Sequence, residues 1–347
     1  MSRRTLTPVV AALVTLVVIV GGAVLPVPYV ALAPGPVTDT LGASGGKPLI
    51  SIEGHPTYPA RGRLDLTTVA VSGGPEDRLD LGRAVLGWVD PTVAVVPRNL
   101  VYPPGKTVKE VEADNAEQMQ QSQEAASAAA VRQLGLPVST TVAVAGVAPR
   151  VPATGRLQPG DVIRSVDGTA VSSVRALQAA MARVCPGATV TLAVVRGGRQ
   201  LVVPVPTDAM PDNPHRARLG IIPRNRYHLP FRVSIRLKDV GGPSAGSMFA
   251  LGIVEKLTPA DVAAGRHIAG TGEIDADGKV GAIGGVQQKV VAASNAGATI
   301  FLTPAGNCAP ARRVRPRGLR LVRVTTLAEA LQALDALRTG RGRVPAC

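Results

Sequence analysis

A charge-free apolar run lies near the N-terminus, and the segments after it alternate apolar and polar positions with the spacings of strands and helices. The run, VVAALVTLVVIVGGAVL, covers Val9–Leu25; Arg3 and Arg4 precede it, and the next cation is Lys47. This length nearly spans a bilayer, and the positive-inside rule places the cation-bearing end in the cytoplasm. We therefore predict an uncleaved, single-pass anchor in the cell membrane of a bacterium, with the remaining chain extracytoplasmic.

A cleavable signal peptide is the alternative for this segment. Ala31-Leu32-Ala33 resembles a small-residue cleavage site. The apolar run, however, exceeds the roughly 7–15 residues usual for a signal peptide, and Pro34 directly after the site disfavours cleavage. The residues that follow are rich in Gly, Pro, Ser and Thr and have no hydrophobic period, so we predict a linker over 34–48.

The next periodic segments predict a strand, a long helix and a β-rich module. RLDLTTVAV has the β-branched content of a strand, and residues 113–135 have the composition of a helix that ends at a glycine. Within 137–206, two strands flank an Asp167-Gly168 turn, SSVRALQAAMA has helical spacing, and Arg196–Arg199 joins two valine-rich strands as a hairpin. We expect a compact β-rich domain with one helix there.

The C-terminal region alternates strands and helices. In order, the pattern predicts strand FRVSIRL, a helix after Pro243, hairpin TGEIDADGKVGAI, helix GGVQQKVVAASNAG, strands ATIFLTP and LRLVRV, and helix TLAEALQALDALR. Thr326 and Glu329 have the spacing of a capping box for the last helix. The region is therefore predicted to be an α/β or α+β domain.

The composition is that of a folded protein and argues against nucleic-acid binding. Hydrophobic residues make up 46% of the 347 residues, enough for two modest domains. The net charge of +14 could suit nucleic acid or anionic lipid. However, the cations are scattered and aromatic residues are only 2% of the chain, so there is neither a dense basic block nor a stacking platform.

The three cysteines are compatible with an oxidising compartment. None lies in a CxxC pair, so a zinc cluster is not expected. Cys347 ends the arginine-rich tail, and a disulfide from Cys347 to Cys308 would attach that tail to the body. This pairing is a hypothesis, and Cys185 is then expected to be a free, buried thiol.

Conventional catalytic and cofactor motifs are not found in the sequence. The four histidines lie in unrelated contexts with no HExxH among them. GASGGKP is one residue short of a phosphate loop and has Pro48 where Ser or Thr should bind magnesium. Asp275 and Asp277 lack further calcium ligands and fit a hairpin turn better. We therefore expect no cofactor and no metal.

The remaining candidates are Ser244, at a predicted helix start, and Lys289, within the apolar GGVQQKVVAA. A buried lysine can be neutral and serve as a general base, since desolvation lowers its pKa. The N–H groups after the Gly-Gly-Pro turn could then stabilise an oxyanion. On these residues alone the alternatives stay open: Ser244 could cap the helix, and Lys289 could extend its amine to solvent.

Three ordered motifs carry a family resemblance. GGPSAGSMFAL, GTGEIDADGKVGAIGGVQQKVVAA and ATIFLTP together resemble the proteolytic domain of the Lon (S16) serine-lysine peptidases. The resemblance implies that Ser244 is the nucleophile, that Lys289 is its base, and that Thr271 orients the lysine. RLDLTTVAV and MQQSQEAASAAAVRQLG also resemble the strand and helix that open such a domain.

The stretch LQPGDVIRSVDGTAV resembles a PDZ domain, although no Gly-Leu-Gly-Phe-type carboxylate loop precedes Thr140. It stands between the two Lon-like parts, so we predict an α+β (α/β-like) Lon-type domain with an inserted PDZ domain, preceded by a transmembrane helix. The predicted organisation is a cytoplasmic N-terminus (1–7), the anchor (8–28), the linker (34–48), the first Lon-type part (49–135), the PDZ domain (137–206), the second Lon-type part (215–338) and a basic tail (339–347).

The resemblance implies an ATP-independent endopeptidase, because no ATPase module accompanies the Lon-like motifs and the approach to the serine, RLKDVGGPSAG, is shorter than in ordinary Lon. Unfolded or flexible protein segments are the expected substrates, recruited or gated by the PDZ domain, and a homo-hexameric ring is a family-based expectation. The alternatives are a catalytically silent PDZ adaptor at the membrane and a serine-lysine acyltransferase or esterase.

Overall fold

A computed structural model of the chain describes residues 3–314 and 316–347, which divide into two compact units. The larger unit comprises Met1–Gly135 and Phe231–Cys347, and the smaller comprises Leu136–Pro230. The smaller unit is therefore an insertion in the sequence of the larger one.

The first segment of the larger unit contains an N-terminal helix, three strands of the main sheet and a long helix. The elements are α1 (Arg3–Ala23), β1 (Tyr29–Asp39), β2 (Ala43–Ser44), β3 (Lys47–Pro48), β4 (Ile50–Glu53), β5 (Arg63–Ser72), α2 (Leu81–Val89), β6 (Ala94–Pro97) and α3 (Val108–Gln133).

The segment predicted as an anchor, 8–28, contains most of α1. Within the described residues, no helix combines the length and apolarity that a membrane span requires. The predicted linker, 34–48, is only partly a linker, since β1 continues to Asp39. Helix α3 begins earlier than its composition predicts, because Thr107 and Glu110 form a capping box at its start.

The smaller unit is a β-rich domain with one helix. Its elements are β7 (Ser139–Val147), β8 (Val162–Val166), β9 (Thr169–Ala170), α4 (Val174–Met181), β10 (Thr189–Arg196), β11 (Arg199–Pro206), β12 (Asp208–Met210), β13 (Asn213–Arg218) and β14 (Ile221–His228).

Its main sheet has the order β11-β10-β8-β7-β14, with β9 paired to β8. The Asp167-Gly168 turn and the Arg196–Arg199 hairpin form as predicted. The predicted domain boundaries differ, because β14 pairs antiparallel with β7 along eight residues, Ile221 to His228. Residues 215–230 therefore belong to this unit and not, as predicted, to the second Lon-type part.

The second segment of the larger unit carries the Lon-like motifs. Its elements are β15 (Arg232–Ile235), α5 (Gly246–Leu257), β16 (His267–Gly270), β17 (Glu273–Ile274), β18 (Val280–Gly281), α6 (Val286–Asn295), β19 (Ile300–Pro304), α7 (Cys308–Ala311), β20 (Arg320–Val324) and α8 (Leu327–Thr339).

A six-stranded sheet of order β20-β19-β16-β5-β1-β6 organises the larger unit. Strands β5, β16, β19 and β20 are parallel, and β1 pairs antiparallel with β5 and β6. Successive side chains point to opposite faces. Ile268 accordingly packs with α5 and α8 in one core, whereas Ala269 and Phe301 pack with α6 in another. Both faces of the sheet are therefore covered.

The C-terminal tail is attached to the sheet. A disulfide joins Cys308 to Cys347, and the backbone N–H of Arg323 in β20 donates to the carbonyl of Pro345. Cys185 is free but exposed, so the expected burial is wrong. Thr326 caps α8 as predicted, but Glu329 accepts from Thr325 instead of returning to the backbone of Thr326.

A buried carboxyl lies at the end of α5. Glu255 is 2% exposed and accepts hydrogen bonds from the backbone N–H groups of Val262 and Ala263. Burial, the largest effect, raises the pKa of Glu255 to about 7, and the nearby Asp261 raises it further while the two N–H donors oppose the shift. The carboxyl therefore fixes the loop after α5 but is poorly placed to carry a charge.

We predict that Glu255→Gln stabilises the larger unit at alkaline pH. The folded-state pKa exceeds the unfolded value, so the contribution of Glu255 to the free energy of unfolding falls as pH rises from about 4.5 to 7. Glutamine retains the acceptor without the charge. Urea unfolding should show the variant more stable by about 1–3 kcal/mol at pH 8 and nearly unchanged at pH 5. The exposed Glu112→Gln is the control; a loss of stability at both pH values would contradict the interpretation.

Candidate active site

Ser244 lies in the turn immediately before α5. The helix begins at Gly246 after Ala245, which makes no side-chain capping bond. The hydroxyl of Ser244 instead contacts Lys289: the Oγ–Nζ distance is 2.6 Å. The helix-cap alternative therefore does not describe this serine, although the predicted helix start is only a few residues away.

Lys289 and Thr271 complete a three-residue network with Ser244. The Nζ of Lys289 donates to Thr271 Oγ1 at 3.1 Å, and Thr271 Oγ1 donates to the carbonyl oxygen of Ser244 at 2.9 Å. Because the threonine proton is used by that carbonyl, Thr271 can only accept from the amine. In a neutral amine this leaves the lone pair available to the hydroxyl of Ser244.

The amine is removed from water by the surrounding helix and sheet. Lys289 is 3% exposed and Thr271 is 1% exposed, whereas Ser244 is half-buried. Lys289 lies on α6, which packs against β1 and β5. Burial lowers the pKa of the Lys289 amine to about 8, and the negative charge of Glu273 acts in the opposite direction. Lys289 therefore does not extend its amine to solvent.

Helix α3 holds the serine turn from the side. Ser122 donates its hydroxyl to the carbonyl of Pro243 at 2.8 Å, and the N–H of Gly242 donates to the carbonyl of Asn115 at 2.9 Å. On the other side, the N–H of Gly272 donates to the carbonyl of Ser244 at 2.8 Å. The turn is therefore fixed from both sides by backbone and side-chain bonds.

Glycines allow the close packing around this turn. Gly272 has φ +154°, and a Cβ there would come within 2.7 Å of Val280. A Cβ at Gly246 would come within 2.7 Å of the Ser122 hydroxyl. Side chains at these positions would displace either the turn or the helix that supports it.

The dyad opens into a groove, called here the active-site groove, of about 650 Å³. One wall is the end of β5, and the other is the loop before α5. The lining residues are Pro36, Thr67–Val71, Asn115, Gln118, Asp239–Ala245, Glu273, Ile283, Gly284 and Lys289. The end of β5 and Ser244 therefore line the same groove.

The structure thus brings together Ser244, Lys289 and Thr271, which the sequence motifs single out. Sequence reasoning did not assign Ser122 or Glu273. Ser122 belongs to the MQQS segment, whose resemblance located the helix but not the partner of its hydroxyl. Glu273 lies in the TGEI motif, two residues after Thr271. Its place in a motif that the resemblance assigns to the site was the signal that it could act on the pKa of Lys289.

The smaller unit has a groove of its own, of about 450 Å³, between α4 and the start of β14. Its walls include Leu177 and Met181 from the helix and Leu219-Gly220-Ile221 from the strand side. The latter three residues have the apolar-Gly-apolar pattern of a PDZ carboxylate loop. No such pattern precedes Thr140 in the sequence, whereas this one lies near the end of the unit, where β14 begins.

Family models match both units. Residues 232–334 match the Lon protease (S16) C-terminal proteolytic domain, and residues 111–207 match the PDZ domain. Ser244, Thr271 and Lys289 all lie within the first match. The chain therefore carries a Lon-type proteolytic domain together with a PDZ domain.

Curated relatives are Lon proteases that are much longer than the matched region. Lon protease 3 of Sorangium cellulosum is 30% identical over 203 residues, 52% of this chain and 23% of that protein. The Lon protease of Campylobacter concisus is 36% identical over 115 residues, 33% of this chain and 14% of that protein. That of Roseiflexus castenholzii is 47% identical over 79 residues, 23% of this chain and 10% of that protein. The chain thus spans under a quarter of the length of each.

Among solved structures, the chain is similar to the PDZ domain of the SdrC-like protein from Listeria monocytogenes. The identity is 26%, and the match covers 23% of this chain and 83% of that one, with a TM-score of 0.22.

We predict that Lys289→Met stabilises the fold because it removes a buried amine. The folded-state pKa of Lys289 lies below the unfolded value of about 10.5, so charging the buried amine destabilises the fold by about 3 kcal/mol below pH 8, and this destabilisation vanishes above about pH 10.5. Chemical unfolding at pH 7 should show a gain of about 1–3 kcal/mol that disappears by pH 11. The exposed Lys109→Met should show no such pH dependence, and a pH-independent loss in Lys289→Met would contradict the assignment.

We also predict an alkaline limb in the reactivity of Ser244. Only neutral Lys289 can accept the proton, and about a tenth of it is neutral at pH 7 and about half at pH 8. The rate of labelling by a fluorophosphonate should therefore rise with pH to a midpoint near the pKa of about 8. Glu273→Gln removes the charge that raises this pKa, so the midpoint should move to lower pH. Glu53→Gln, an exposed carboxylate outside the groove, should leave it in place; an unchanged profile in Glu273→Gln would argue against Lys289 as the titrating group.

Proposed function

We propose that this chain is an ATP-independent, membrane-anchored, extracytoplasmic serine endopeptidase that uses Ser244 and Lys289 to hydrolyse peptide bonds in unfolded or flexible protein segments. The observation that carries the proposal is the 2.6 Å contact between the Ser244 hydroxyl and a buried amine whose pKa is lowered to about 8. A merely structural lysine gains nothing from a lowered pKa beside a half-buried hydroxyl that opens into a groove.

The chemistry follows from the geometry. Neutral Lys289 accepts the Ser244 proton as Oγ attacks the substrate carbonyl. The N–H groups of Ser247 and Met248 at the start of α5 already donate to carbonyl oxygens of the fold, so they are not available as the oxyanion donors expected from the sequence. The ammonium of Lys289 then protonates the departing amine, which leaves an acyl-enzyme. A water molecule gives its proton to the regenerated neutral amine and attacks the ester, and the proton returns to Ser244 as the acid product leaves.

Protein substrates fit both grooves. The active-site groove lies along β5 and accommodates an extended chain better than a folded surface, which supports unfolded segments as substrates. In the smaller unit, Leu219-Gly220-Ile221 borders the groove beside the edge strand β14. An extended peptide could add to that edge, so we assign the PDZ domain a role in recruiting or gating substrate. The same groove would serve a catalytically silent adaptor, which is the second candidate function.

We predict that the full chain in mild detergent degrades casein without ATP and that Ser244→Ala reduces the rate by at least about 10³-fold. Gel analysis and fluorescent-casein release measure the cleavage. Ser247→Ala is the matched control: Ser247 lies one turn further along, is 5% exposed, and its hydroxyl has no hydrogen-bond partner among the described residues. That variant should keep its activity.

The outcomes separate the two candidate functions. Cleavage by wild type and Ser247→Ala but not by Ser244→Ala supports the endopeptidase. A folded wild type that neither cleaves casein nor reacts with a fluorophosphonate favours the adaptor. Equal cleavage by wild type and Ser244→Ala would exclude Ser244 as the nucleophile.

A further inference from the structure

Helix α2 presents its large apolar residues outward and its small residues inward. Ala84 and Gly87 are buried, and a Cβ at Gly87 would come within 2.7 Å of Val95 on β6. Leu86, Trp88 and Val89 are instead 71%, 56% and 77% exposed. This is the reverse of a helix on a water-facing surface, which places large apolar residues toward the core.

The exposed surface of α2 continues that of α1. The N–H of Leu81 donates to the carbonyl of Leu25 at 2.9 Å, and the N–H of Val27 donates to the carbonyl of Leu79 at 2.8 Å. A Cβ at Gly82 would lie 3.2 Å from the carbonyl oxygen of Ala23, so the two helices are closely apposed there. The exposed large apolar residues of the N-terminal segment are Val10, Leu13, Val14, Leu16, Val17, Val20, Val24 and Leu25.

The distribution of these residues favours lipid over a protein partner. Consecutive positions on a helix are about 100° apart, so Leu13, Val14, Leu16 and Val17 point to several sides of α1. A single protein interface covers one side, whereas hydrocarbon surrounds all of them. An uncovered apolar surface of this extent is otherwise unfavourable in water.

The border of this surface has the chemistry of a membrane interface. Trp88 makes an edge-to-face contact with Tyr29 at 5.8 Å between ring centroids. Tryptophan and tyrosine are the side chains preferred at the headgroup level. The only charge on α2 is Arg83, and it is paired with Asp80 and Asp77. Burial of the apolar residues in lipid therefore leaves no unpaired α2 charge.

We propose that α2 is a second membrane contact, lying in the interface of the same lipid surface that takes α1, with Leu86, Trp88 and Val89 at the boundary between headgroups and acyl chains. Strand β5, which forms a wall of the active-site groove, ends at Ser72, and α2 begins at Leu81. The contact would hold the groove at a fixed distance from the lipid. The inference rests on the proposed function only for the membrane association of α1, and not on catalysis.

Trp88 is the single tryptophan of the chain and reports directly on this contact. The full chain would be reconstituted into phosphatidylcholine vesicles. Quenching of its fluorescence would be compared for phospholipids brominated near the headgroup, phospholipids brominated deep in the acyl chain, and aqueous acrylamide. We expect stronger quenching by the shallow bromines than by the deep ones, together with protection from acrylamide.

A double variant, Leu86→Glu with Val89→Glu, should lose the bromine quenching and gain acrylamide quenching while still floating with the vesicles. Val202→Glu is the matched control, because Val202 is 72% exposed in the smaller unit and should not affect Trp88. Because none of these residues lines the active-site groove, fluorophosphonate labelling should be unchanged in both variants.

Three results would overturn the inference. Trp88 quenched by acrylamide and not by bromolipid would place α2 in water. Trp88 protected from both would indicate a protein partner or a second copy of the chain. A chain that does not float with vesicles would exclude the anchoring as well, while the casein assay would still decide the peptidase proposal independently.

Discussion

The buried amine of Lys289 beside the hydroxyl of Ser244 is the constraint on which the packing of the larger unit depends. Keeping that amine dry destabilises the fold by about 3 kcal/mol at neutral pH, so it requires a well-packed site. The parallel strands supply one by being covered on both faces: α5 and its partners pack on one side, and α6, which carries the lysine, packs on the other. A sheet with one solvated face could not bury the lysine in this way.

The same constraint explains why the site is assembled from distant parts of the sequence. The serine turn is held by Ser122 and Asn115 of α3 and by Gly272 after β16. Helix α3 precedes the inserted unit, whereas the turn and β16 follow it. The insertion is compatible with the site because the two segments of the larger unit pack together through α3 and α5. Met119 of α3 and Phe249 of α5 lie in the same core. The geometry around Ser244 thus depends on both segments folding together.

Local features were predictable because their causes are local. The Asp167-Gly168 turn, the Arg196–Arg199 hairpin and the Thr326 cap follow from residue types at fixed spacing. The role of Ser122 and the boundary after Pro230 were not, because each depends on pairing between residues far apart in sequence: Ser122 with Pro243, and β14 with β7. The environment of Lys289 lies between these cases. Its apolar neighbours on α6 are visible in the sequence, but the wall formed by β1 and β5 is not.

Strand β5 connects the core of the larger unit, the active-site groove and helix α2. After the exposed Arg63, residues 64–67 of the strand are buried, with Leu64 and Leu66 in the core. Its second half, Thr67–Val71, emerges from the core as a wall of the active-site groove. Beyond Ser72 the chain turns into α2, whose outward-facing Leu86 and Val89 are among the most exposed apolar residues described. The register of β5 is fixed by β1 and β16 on its two sides. A displacement of α2 relative to the groove would therefore have to disrupt that pairing or bend the short connection between Ser72 and Leu81. The fold therefore relates the position of the active-site groove to that of α2 through β5, without any contact between α2 and Ser244 or Lys289.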